Sequence, residues 1–105
     1  MIVTVFRSRV RGFADLDRLE AAGERMAELA QSMPGFISYK DFSAPDGENV
    51  TVVEFDTLEH QVAWRDHPEH REVQRAARAE FFEGYRISVC QMLREALFPP
   101  GERGT

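Results

Sequence analysis

All three histidines of this 105-residue chain lie between positions 60 and 70, with its one tryptophan, Trp64, among them. An imidazole titrates near neutral pH, so a histidine facing a cavity is a natural proton donor or acceptor. His70 is the candidate base. With Val73, Ala77 and Phe81 it follows i, i+3, i+7, i+11, beside the apolar stripe of a helix. Its competing role is a hydrogen bond to a backbone carbonyl, or a place at the surface. His67 precedes Pro68, where the chain leaves the helical region; it serves that break, with ligand contact as the competing role. Trp64 shares a helix side with His60 and points away from Leu58 and Val62. It either fills a rim or subunit contact, or lines a cavity mouth and stacks on a flat ligand. Phe81 would supply a second aromatic wall.

Tyr39, Arg7 and Arg9 lie on extended segments within reach of the same ligand. A guanidinium at Arg9 could hold a phenolate or carboxylate, or either arginine could guard a strand edge or bridge two subunits. Glu54 interrupts an apolar strand and either faces solvent or pairs across a dimer. Cys90 reads as a small core residue, and one cysteine cannot form an internal disulfide. His60, His67 and His70 lack a usual zinc spacing, so no metal is expected. There is no Gly-rich phosphate loop, Ser-His-Asp order or CxxC pair, so no cofactor is expected either.

The elements that must position these groups follow from pattern. Ile2 to Arg9 is β-branched and aromatic and predicts a strand. Asp15 is a plausible cap, and Leu16, Leu19, Gly23, Met26 and Ala30 form one helical face until Met33-Pro34-Gly35 stops it. Phe36 to Phe42 and Val50 to Phe55 form a hairpin around Ala44-Pro45-Asp46-Gly47-Glu48. Asp56 and Glu59 predict a capping box for the next helix. That helix breaks at His67 and restarts on Pro68, running to about Phe82. Gly84 closes it before a last strand, Tyr85 to Arg94.

The order β-α-β-β-α-β predicts an α+β, ferredoxin-like domain with a four-stranded antiparallel sheet over residues 1–96. Residues 97–105 read as a flexible C-terminal tail. A sheet exposed on one side should alternate apolar and polar residues. Here Thr51, Val53 and Phe55 oppose Val50 and Val52, and Ile87, Val89 and Leu93 oppose Cys90 and Met92. Both faces need cover and only two helical regions are available, which predicts a homodimer.

A net charge of −5 argues against nucleic acid, whose binding rests on neutralised phosphates. Hydrophobic residues at 43% and charged residues at 30% suit a soluble domain. The first apolar run is interrupted at Arg7, too short for a signal peptide, and no run approaches a membrane span. A cytoplasmic protein with no membrane partner is expected.

Four segments are similar to the antibiotic biosynthesis monooxygenase (ABM) family: VTVFRSRV, RMAELAQSMPGF, VVEFDTLEHQVAWRDHPEH and YRISVCQMLRE. They span roughly residues 2 to 95, and Met33-Pro34-Gly35-Phe36 and Trp64 to His70 carry most of the likeness. The resemblance implies a dimeric α+β barrel with a cavity between the sheet and helices of each subunit. Members oxidise polyphenolic aromatics to quinones with molecular oxygen and no cofactor, degrade haem, or act on small signalling and metabolic molecules. The haem branch uses an Asn on the first strand and a His nine or ten residues after its Trp. Here that strand has no Asn, and the positions after Trp64 are Val73 and Gln74. The resemblance thus implies a cofactor-independent monooxygenase for a small aromatic or polyphenolic molecule. His70 would be its base, and Trp64, Tyr39, Phe81, His67 and Arg9 its substrate contacts. The alternatives are a dimeric small-molecule-binding module without turnover, and an isomerase of a small metabolite.

Overall fold

The computed structural model describes residues 1–101. Four strands, β1 (Ile2–Val10), β2 (Phe36–Ser43), β3 (Asn49–Phe55) and β4 (Phe82–Gln91), form one antiparallel sheet in the order β2-β3-β1-β4. Three helices, α1 (Leu16–Ser32), α2 (Leu58–Asp66) and α3 (Pro68–Ala76), complete the ferredoxin-like fold expected from sequence. No helix of the described residues is long and apolar enough to cross a membrane. Leu97–Gly101 form neither helix nor strand, and the rest of the expected 97–105 tail lies outside the described residues.

Local chemistry explains most of the boundaries. Asp15 caps α1 by accepting from the Arg18 N–H at 3.1 Å. The β2–β3 turn closes through Ala44 N–H to Glu48 C=O at 2.8 Å, with Gly47 at φ +90°. Only glycine takes that conformation without strain.

Three boundaries differ from the sequence reading. The cap of α2 is Thr57, whose hydroxyl accepts from the His60 N–H at 3.3 Å. Asp56 is thereby free to bind the His60 ring instead, Oδ1 to Nδ1 2.6 Å. The helical run after Pro68 reaches Phe81, close to the expected end, but its last turn, Ala77–Phe81, is π-helical and β4 begins at Phe82 rather than at Tyr85. Gly84 therefore lies inside β4, opposite Arg9, rather than closing a helix. Arg11 braces this junction, its guanidinium donating to the carbonyls of Phe82 (2.8 Å) and Arg78 (2.9 Å). Those carbonyls sit where a helix end leaves acceptors unpaired. Finally, the buried face of α1 starts beyond Leu16, which is exposed, as is Leu93 beyond the end of β4.

The core gathers at one end of the sandwich. Phe55 (0% exposed) and Val53 (1%) on β3 meet Met26, Leu29 and Ala30 of α1 and Trp64 of α2. Burying a side chain like Phe55 contributes roughly 2–3 kcal/mol. The opposite sheet face carries Val3 and Val5 of β1 beside Val50 and Val52 of β3, from the strand register. The helices pack on the other side.

Candidate functional site

The same strand alternation that buries Val53 and Phe55 continues along the sheet as a floor without a roof. Strand register aligns Asp41, Thr51, Phe6 and Ile87 in one row, and Ser43, Asn49, Ser8 and Tyr85 in the next. Above these rows α1 offers Ala22, Gly23 and Ala27, side chains too small to reach the sheet. A Cβ added at Gly23 would meet nothing within 4 Å. The result is a cavity of about 560 Å³ between sheet and helices, within the size range of small-molecule sites.

Aromatic rings wall it at both ends. Trp64, only 6% exposed, stands between Phe55 (centroids 5.6 Å) and His70 (4.5 Å, edge-on). At the other end Phe6, Phe82 and Tyr85 form a cluster with centroid separations of 5.4 to 6.2 Å. Such geometries are the favoured edge-to-face and tilted ones. Sequence position alone could not show that these three residues meet, since they lie on two strands 76 positions apart at their nearest, Phe82 minus Phe6.

Of the residues singled out from sequence, Tyr39, Trp64, His70 and Phe81 all border the cavity. His67 and Arg9 do not. The His67 ring caps α3, its Nδ1 accepting from the Glu69 N–H at 3.1 Å. Arg9 clamps the β2–β3 turn, donating to Asp46 Oδ2 at 2.9 Å and to its carbonyl at 3.1 Å. Arg7 does the same through Glu48 Oε1 at 2.9 Å. Glu54 accepts from the Ser38 hydroxyl at 2.5 Å. Cys90 is exposed. The three histidines do not converge, and among the described residues no group of three His, Cys, Asp or Glu is placed to hold a metal ion.

The sequence reading passed over Gly23 as one position of an apolar helical face. A glycine there was the available signal, because it weakens a helix by about 1 kcal/mol against alanine and so has to be explained by space. It also passed over Glu20, Glu24 and Asp41, which border the cavity.

Electrostatics set the protonation states. Burial, with smaller contributions from His67 and Arg65, lowers the His70 imidazole to about 4, so it is neutral at pH 7. Burial and then the nearby Asp41 carboxylate push Tyr39 up to about 12, so its hydroxyl keeps its proton. His70 Nδ1 and Trp64 Nε1 are sealed from solvent without a hydrogen-bond partner. Leaving such groups unpaired costs about 1–3 kcal/mol each. The cavity is therefore mostly apolar, with a few polar groups along its wall.

Beside this geometry stand the relatives. The chain is 33% identical over 75 residues to YqjZ of Bacillus subtilis, covering 71% of this chain and 66% of that protein. It thus spans slightly less than two thirds of that relative's length. Rv0793 of Mycobacterium tuberculosis has the same fold (TM-score 0.79, 20% identity, 91% of this chain and 98% of that one). So does SnoaB, a cofactor-independent oxygenase of Streptomyces nogalater (TM-score 0.75, 16% identity, 94% and 97%). The family model for antibiotic biosynthesis monooxygenases matches residues 1–76, the segment that builds β1 to α3 and most of the cavity, and the chain belongs to that family.

Proposed function

We propose that this chain is a homodimeric oxygenase that binds a small hydroxylated aromatic in the cavity between sheet and helices and oxidises it with molecular oxygen. The cavity itself carries the reading: about 560 Å³, aromatic at both ends, with a neutral imidazole in its wall. Membership of the monooxygenase family supports oxygen chemistry. An electron-rich hydroxyarene can reduce oxygen itself. One oxygen atom of O2 becomes the second carbonyl of a quinone, and the other leaves as water with the hydroxyl proton and the displaced ring hydrogen.

The protein's part is to exclude water, orient the ring between aromatic walls, and hold the substrate oxygen as charge develops on it. His70 suits the last task as a hydrogen-bond partner rather than as a resident base. With its imidazole near 4, full transfer of a proton from a phenol near 10 would be uphill by about 8 kcal/mol. A neutral ring can still share that proton while electron density leaves the substrate.

The dimer reading rests on the sheet face that carries Val3, Val5, Val50 and Val52, which no helix covers. Light scattering should give twice 12.0 kDa; a stable monomer at micromolar concentration would remove this part. The free thiol of Cys90 fits a reducing cytoplasm.

Oxygen uptake over a panel of naphthols and other monohydroxylated polycyclic arenes, with labelled O2 to follow one atom into the quinone, tests the chemistry. Uptake should fall sharply in Gly23→Leu, whose side chain enters the cavity, and fall in His70→Ala. The proposal fails if no hydroxyarene drives uptake, or if Gly23→Leu leaves uptake unchanged. In that case a binding module or an isomerase takes its place.

A further inference from the structure

The charges around the cavity are one-sided. Glu20 and Glu24 on successive turns of α1, and Asp41 on β2, border it, whereas no lysine or arginine does among the described residues. Two carboxylates at i, i+4 repel and weaken the helix that carries them, so the helix gains nothing from this pair. Neither glutamate has an ion-pair partner among the described residues, and Asp41 only accepts from the Thr51 hydroxyl at 2.5 Å.

Two arginines approach the lining near β4, Arg18 from the first turn of α1 and Arg78 from the π-helical turn. Arg18 lies 5.9 Å from the centre of the Phe81 ring and is neutralised by Glu80 at 2.9 Å. Arg78 donates to the Tyr85 hydroxyl at 2.6 Å. The carboxylates therefore place negative charge beside the cavity at the Glu20–Glu24 segment of α1 and at β2. The walls add to it, because the rings of Phe6, Tyr39, Trp64 and Tyr85 line the cavity and the face of an aromatic ring carries negative quadrupole density that attracts cations. Independently, the Trp64 side chain, 6% exposed, borders this cavity, and its indole N–H has no hydrogen-bond partner.

We infer that the cavity selects neutral and, above all, amine-bearing cationic aromatics, and discriminates against carboxylate- or phosphate-bearing ones. The ammonium group sits at the Glu20–Glu24–Asp41 side, and the ring lies among the aromatic walls. This rests on the cavity being the binding site, as in the proposed function, but not on turnover.

One scaffold with three charges tests it. Calorimetric titration with 2-naphthylmethylammonium, 2-naphthylmethanol and 2-naphthoate at low ionic strength should rank affinity in that order. The cation should bind at least about tenfold tighter than the anion, an advantage that shrinks in high salt. The exposed pair Glu20→Gln/Glu24→Gln should narrow the ratio severalfold while leaving the alcohol unchanged, and Asp41→Asn should narrow it further. Equal affinities, a preference for 2-naphthoate, or a ratio indifferent to these substitutions would overturn the inference. If no probe binds, or all bind equally well to Gly23→Leu, the cavity is not the site and the underlying reading falls with it.

Discussion

The two ends of the sandwich are made from the same two layers, yet one is solid and the other hollow. At the solid end, Met26, Leu29 and Ala30 of α1 close on Val53 and Phe55 of β3. Two turns earlier on the same helix, Ala22 and Gly23 face Phe6, Ser8 and Thr51 across open space. Side-chain volume along α1 decides the difference, since the backbone of both layers is continuous. Stability is concentrated where the helix residues are large, and binding where they are small.

That contrast can be broken most severely at the solid end. Phe55→Ala should cost about 3–5 kcal/mol in urea unfolding, because its neighbours Phe36 and Trp64 cannot collapse into the space. A loss below about 1 kcal/mol would mean that the packed end is less tightly packed than its burial implies.

The boundary between the ends is sensitive to pH through His70. Its folded imidazole lies near 4, below an unfolded value near 6.5. Above pH 6.5 the ring is neutral in both states and carries no penalty. As pH falls from about 6.5 to 4 the unfolded state gains a proton that the folded state refuses, so stability drops by up to about 3 kcal/mol. Urea midpoints over that window should shift downward in the wild type. They should shift much less in His70→Asn, and equal slopes would show that the ring is not desolvated.

Gly35, at φ +80°, marks where α1 turns back to the solid end of the sheet. A Cβ there would overlap the Asp56 carboxylate and the His60 ring, which are bonded to each other directly above it. Gly35→Ala should cost about 1–3 kcal/mol, and Asp56→Ala should recover part of that in the double variant. Strict additivity in that cycle would remove the proposed clash.

The smallest stability effect, of opposite sign, belongs to the hollow end. Gly23→Leu should leave the fold intact and raise stability by roughly 0.5–1 kcal/mol through helix propensity, while weakening ligand binding. Thermal melts checked against the calorimetric titrations would separate these effects, and a destabilised variant would mean that the open space is smaller than it looks.

Periodicity and punctuation determined much of this protein from sequence alone. The strands at Ile2, Phe36 and Val50, the cap at Asp15, the break at His67-Pro68 and the ferredoxin-like order all follow from nearest-neighbour chemistry. Trp64, His70 and Phe81 on the helical segments and Tyr39 on β2 stood out by residue type, and all four border the cavity. What remained illegible depended on partners distant in sequence. Arg11 braces the end of the last helical run from 67 residues away, reaching the Arg78 carbonyl. Arg9 looked like a ligand contact until Asp46 lay beside it, and His67 until its ring met the Glu69 N–H. The cavity, the depressed imidazole and the one-sided ring of carboxylates exist only where α1 is set against the sheet. Desolvation, enclosed volume and electrostatic field are sums over all neighbours in space, and a linear pattern records only those along the chain.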